Sequence, residues 1–149
     1  MANMHVERHI AASPDRVWSI ITNIERSPEV VSGIDAVEVL EGPEFGIGTT
    51  WNETRTMFGK QATEVMRVVA VEPGASYTIE SRATGTVYRS TMAVTADGDG
   101  SVLSMSFSAE AGSAVSKVFA STIGKLFEGG TRKAIEQDLT DIAREAEQA

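Results

Sequence analysis

With 149 residues, 42% of them hydrophobic and 23% charged, the chain is long enough for one domain with a true core, burying about 70% of the unfolded surface. A formal charge of −8 and a pI near 4.7, with no local Lys/Arg cluster, exclude nucleic acid and anionic bilayers as favoured partners. Cysteine is absent, so disulfides, zinc ribbons and thiol nucleophiles are excluded as well.

The N-terminal stretch MANMHVERHI lacks the apolar run of a signal peptide, and no segment approaches the ~18 apolar residues of a membrane span. A cytoplasmic protein without membrane insertion is the expectation. Met4 to Ile10 alternates, with Met4, Val6 and Ile10 on one parity, and predicts a first strand. In SPDRVWSIITNI, Ser13 suits an N-cap, Pro14 the first helical position and Asp15 the positive end of the dipole. Val17, Ile20, Ile21 and Ile24 then follow at helical spacing. A second short helix is predicted over Pro28 to Ser32, ended by Gly33.

From Ile34 to Glu110 the period is close to two, broken by turn signals at Gly42-Pro43, Gly46 to Gly48, Phe58-Gly59, Pro73-Gly74, Gly85 and Asp97 to Gly100. Six strands in an antiparallel meander follow from that layout. The last is the clearest, with Leu103, Met105, Phe107 and Ala109 on one face and Ser104, Ser106 and Ser108 on the other. After Gly112 the pattern becomes helical. Residues 114–147 contain no proline and predict one helix of about 30 residues, roughly 45 Å long. Gly129-Gly130 marks a bend. Val115, Val118, Phe119, Ile123, Leu126 and Phe127 precede it, and a narrower stripe of Ile135, Leu139, Ile142 and Ala146 follows, with charges elsewhere.

The whole chain, residues 1–149, therefore predicts a single α+β domain: a curved seven-stranded antiparallel sheet around a long C-terminal helix, with two short helices between strands 1 and 2. A strongly curved sheet gripping a helix leaves space between them, so a cavity is expected there. The segments IAASPDRVWSIITNIERSPEVVSGI (10–34) and GTTWNETRTMFGKQATEVMRVVAVEPGASYTIES (48–81), with the long terminal helix, resemble the START-like/SRPBCC (Bet v 1-like) superfamily, specifically its polyketide cyclase/dehydrase and lipid-transport-like branch. The resemblance spans nearly the whole chain and implies the helix-grip fold. It implies an activity far less sharply, because the superfamily holds carriers, receptors, cyclases, oxygenase subunits and chaperone regulators.

A two-residue turn at Phe58-Gly59 sets Met57 opposite Lys60, Arg55 opposite Ala62, Glu53 opposite Glu64 and Trp51 opposite Met66. Pairing Val94 with Leu103 sets Met92 opposite Met105, Ser90 opposite Phe107 and Tyr88 opposite Ala109. Both registers sort the faces in one sense. The inward face then carries Trp51, Met57, Met66, Tyr77, Tyr88, Ser90, Met92, Met105 and Phe107, and the helix adds Phe119, Ile123 and Phe127. A lining rich in methionine and aromatic side chains suits an irregular apolar ligand, and suits an ordinary core equally.

The charges on that face discriminate more. Glu53 and Glu64 repel, and Arg55 lies near enough to bridge both. Burial of such charges requires a partner, water or a ligand, so one glutamate is expected to have a raised pKa or to face a wet cavity. Two readings stay open: a salt-bridge cluster at the rim of the sheet, or a polar anchor in an apolar pocket.

The leading expectation is a binding protein for a small hydrophobic molecule such as a lipid, polyketide or isoprenoid, monomeric or homodimeric, without cofactor. One alternative is a polyketide cyclase/dehydrase-type enzyme using the same cavity: in cyclases of this resemblance an arginine and pocket hydroxyls orient a poly-β-ketone, which makes Arg55, Tyr77, Tyr88 and Ser90 the candidates here, none of them in a specific catalytic motif. The other alternative is a chaperone-regulator-like interaction module. His5, Glu7 and His9 superficially resemble a metal triad, but the two histidine Cα atoms stand roughly 13 Å apart along a strand, so no metal is expected. Gly42 to Gly48 lacks phosphate-loop spacing and is read as a mobile loop at the cavity mouth, with Phe45 as a lid. No Ser-His-acid set is visible.

Overall fold

The structure, a computed structural model, describes residues 2–42, 44–57, 59–83, 86–111 and 132–148. Strand β1 (Ala2–Ile10) leads to helix α1 (Pro14–Ile21), a 3-10 turn (Ile24–Arg26) and helix α2 (Ser27–Val30). Six strands follow: β2 (Ile34–Glu41), β3 (Thr50–Met57), β4 (Lys60–Glu72), β5 (Ser76–Ala83), β6 (Thr86–Asp97) and β7 (Gly100–Ala111). A C-terminal helix, α3, occupies residues 132–147. The first half of the predicted long helix, including Gly129-Gly130, lies outside the described residues.

The strands form one antiparallel sheet in the order β1-β7-β6-β5-β4-β3-β2. Consecutive hairpins account for five of the six pairings, and the N-terminal strand returns to close against β7. The first and second strands therefore lie at opposite edges, and α1 and α2 carry the chain between them.

Helix α1 begins as predicted: the Ser13 hydroxyl accepts the Arg16 N–H and Pro14 opens the first turn. It ends sooner than the apolar stripe suggests. Thr22 returns its hydroxyl to the Trp18 carbonyl at 2.8 Å, and Asn23 is non-helical. Ile24 is buried from the separate 3-10 turn instead. The second helix starts one residue and ends two residues earlier than predicted, with Pro28 in its first turn. Both predicted hairpin registers are present, Met57↔Lys60 through Trp51↔Met66 and Val94↔Leu103 through Tyr88↔Ala109. In β4 a bulge between Val68 and Ala70 shifts the register, so that Val71 pairs with Tyr77.

Ile135, Leu139, Ile142, Ala143 and Ala146 of α3 join Val17 and Ile21 of α1 and Val68, Met92 and Leu103 of the sheet in one core. Helix α3 runs parallel to β1. Arg132 reaches the His5 carbonyl, Arg8 reaches Thr140, and the Ala11 N–H donates to Glu147. Fifteen helical residues, about 22 Å, thus match six strand residues, about 20 Å.

Candidate functional site

Alternation on β3 turns Trp51, Glu53 and Arg55 towards the core and Asn52 and Thr54 outward. Trp51 is 1% exposed, and its indole N–H donates to Glu53 Oε1 at 3.3 Å. The other oxygen of Glu53 accepts from Arg55 Nε at 2.8 Å. The remaining arm of Arg55 does not turn to Glu64, as the strand spacing alone suggests. Its Nη1 and Nη2 donate to Asp138 Oδ1 and Oδ2 of α3 at 3.2 and 2.8 Å, a two-pronged pair that a lysine could not make. Gly33 closes over this pair: a Cβ there would stand 3.3 Å from Arg55 Nη1 and 3.7 Å from Asp138 Oδ1.

The second carboxylate on Arg55 is therefore Asp138, and it is this acid whose pKa is held above the ordinary carboxylate range. Burial drives the rise and Arg55 opposes it. Burial also works against the Arg55 charge, but Asp138 and then Glu53 outweigh it and keep the guanidinium protonated. Helical periodicity sets the charges of this segment apart from its apolar stripe, and Asp138 breaks that pattern. The signal was present: Asp138 lies three residues after Ile135 and four before Ile142, on the same helical face. A carboxylate in that stripe needs a cation or hydrogen-bond donors to meet it. Asp141 is a second case. It is 3% exposed and accepts the Ser32 N–H at 2.9 Å and the Ser32 hydroxyl at 2.8 Å.

Glu64 faces Glu53 in the register but bonds elsewhere, accepting from the Ser81 hydroxyl at 3.4 Å. Tyr77 is buried and donates to the Ile21 carbonyl at 2.9 Å, which ties the sheet to the end of α1. Burial, then the charge of Glu53, raises its pKa, so it stays a phenol. Tyr88 is partly buried and stacks on Phe107 at 5.9 Å. Ser90 lies between Ile79 and Phe107 in the register. Met92 is buried, whereas Met66, Met105 and Phe107 are partly buried against the core. Phe119, Ile123, Phe127 and the side chain of Met57 lie outside the described residues.

The loop after β2 is pinned rather than loose. Thr49 Oγ1 accepts the Gly46 N–H and donates towards the carbonyls of Gly42 and Glu44, while the Gly48 N–H donates to the Val68 carbonyl and the Val68 N–H to the Thr49 carbonyl. Phe45 points inward and meets Tyr77 edge-on at 4.9 Å and Trp18 at 6.3 Å. A hollow of about 200 Å³ lies beside it, bounded by Ile24, Val39 and Thr49 among others. A shallower groove of about 470 Å³ crosses the opposite, outer face of the sheet near His5, Thr91 and Ser106. Neither is the expected space beneath the first half of the predicted long helix, which lies outside the described residues. His5 and His9 are exposed and contact Ser106, Glu7 and Asp97. No group of three or more metal-ligating side chains occurs among the described residues.

A seven-stranded antiparallel sheet carrying two short helices at one end and a C-terminal helix across its inner face defines the helix-grip, Bet v 1-like class. The chain belongs to the family described as polyketide cyclase/dehydrase and lipid transport, which it matches over residues 1–147. Solved structures of the same fold include a Thermus thermophilus protein (18% identity, TM-score 0.78, covering 96% of this chain and 95% of that one). The Zhui aromatase/cyclase from a Streptomyces species is also similar (17%, 0.75, 98% and 94%). So is the major latex-like protein 151 of Panax ginseng (12%, 0.76, 99% and 98%). No curated protein sequence matches the chain significantly.

Proposed function

We propose that this chain binds a small hydrophobic molecule between the inner face of its sheet and the C-terminal helical segment. The observation that carries the reading is the uneven burial of the inward face. Val68, Leu103 and Met92 are sealed at 0–5% exposure. Ile79, the register partner of Val68, and Met66, Tyr88 and Phe107 share that face and are only partly buried. A partly exposed apolar tract is where a ligand gains most from leaving water. Family membership supports the same reading. The protein is proposed to act as a monomer or homodimer in the cytoplasm, and its acidic surface disfavours a nucleic-acid partner.

A cyclase or dehydrase activity has weaker support from the geometry. Two side chains that such chemistry would recruit are already engaged, Arg55 by two carboxylates and Tyr77 by the Ile21 carbonyl. Thermal unfolding against a panel of lipids, aromatic polyketides and isoprenoids tests the binding reading. At least one class is expected to raise Tm in a concentration-dependent way. A panel that leaves both Tm and tryptophan fluorescence unchanged at saturating concentration overturns it.

A further inference from the structure

The two glutamates that face one another across β3 and β4 are not chemically equivalent. Glu53 is committed, with one oxygen on the Trp51 indole and the other on Arg55. Glu64 has one long hydrogen bond among the described residues, from Ser81 at 3.4 Å. It is partly buried on the inward face, beside the unsealed tract. Most of its acceptor capacity is therefore open to whatever occupies that space. Ser81 is 5% exposed and pairs with Tyr88 in the register. Burial raises the Tyr88 pKa and the negative charge of Glu64 adds to the rise, against a hydrogen bond with Thr86. The ring and the carboxylate thus share one neighbourhood.

The local charge balance points the same way. Glu53 and Asp138 together outnumber the one cation between them, Arg55. Glu64 adds a further negative charge, and every other Arg and Lys among the described residues is exposed. An anionic head group would enter a field of its own sign, in a medium that screens poorly.

We infer that Glu64, flanked by Ser81 and Tyr88, accepts a hydrogen bond from the ligand's polar end, so that the site selects apolar molecules bearing a hydroxyl or ammonium donor over carboxylates and ethers. This rests on the ligand-binding reading above and adds the class of ligand. Arg55 has a structural part in this scheme, joining α3 to the sheet.

Isothermal titration of the full chain with four probes of one ring size tests it: 2-naphthol, protonated 2-naphthylmethylamine, 2-methoxynaphthalene and 2-naphthoate. At least one of the two donor probes is expected to bind about tenfold or more tighter than the methoxy compound, the scale of one charge-assisted hydrogen bond. Naphthoate is expected to bind weakest. In Glu64→Met the donor preference is expected to collapse to within about threefold while the methoxy compound binds as well as before. A retained methoxy affinity also shows that this variant is folded, and Glu64→Gln provides the same comparison at nearly unchanged volume. Binding of all four probes without discrimination, or naphthoate binding tightest, overturns this inference and leaves the binding reading intact. A preference that survives in both Glu64 variants overturns it too. Absence of binding by every probe, in a protein that likewise ignores the lipid and polyketide panel, overturns both.

Discussion

Arg55 is held by acids from two distant parts of the sequence, and this decides what its loss should do. Its side chain is 24% exposed, and those of Glu53 and Asp138 are 11% and 10%. Removing the cation would leave two carboxylates facing each other in a poorly solvated place. Arg55→Met is therefore expected to cost about 3–5 kcal/mol in urea unfolding. Adding Asp138→Leu should recover part of that loss, because one stranded charge disappears with it. Strictly additive losses in the double-mutant cycle would show that the pair carries no coupling. Asp141 makes a different, pH-dependent statement. Burial alone would raise its pKa, but the Ser32 N–H and hydroxyl, Gln137 and Arg144 together lower it. A depressed folded pKa means that ionised Asp141 stabilises the fold above the unfolded value of roughly 3.9, and that this is lost as pH falls through the folded value. Asp138 is shifted upward, so its linkage runs oppositely, strongest below the unfolded value and fading as pH rises through the folded one. The clean measurement is thus wild type against Asp141→Asn. The variant should be less stable at pH 7, with the gap closing as pH falls through the depressed folded value. A gap independent of pH would mean that charge is not what Ser32 reads.

Among the elements, the β3–β4 and β6–β7 hairpins were legible because their strands alternate cleanly enough near the turn for only one register to sort polar from apolar residues. Trp51↔Met66 and Met92↔Met105 follow from counting outward from the turns. The β4 bulge was not legible. Val68 to Val71 is an uninterrupted apolar run, so nothing in the sequence marks where the parity changes. The loop after β2 misled for a related reason. Its glycines signal freedom, but a single threonine hydroxyl, on a residue 4% exposed, gathers three of its backbone groups. Thr49→Val keeps the shape and removes that hydroxyl. It is expected to cost about 1–3 kcal/mol and to speed amide exchange of residues 44–48 while leaving β6 and β7 protected. Unchanged exchange in the loop would assign its order to Phe45 packing alone.

Taken as one body, the molecule is held across its length by α3, which touches β1, α1, the turn after α2 and β3 through polar contacts as well as through its apolar stripe. The sequence by itself determined the class of fold, the strand count, the registers of the β3–β4 and β6–β7 hairpins and which side chains of β3 turn inward. All of these follow from local periodicity and turn chemistry, which act over a few residues. Only the tertiary structure decided that the partner of Arg55 is Asp138 and that Glu64 meets Ser81 among the described residues. Residues 55 and 138 are brought together by the return of the last helix over the sheet. No periodicity within either segment encodes which oxygen a guanidinium will meet.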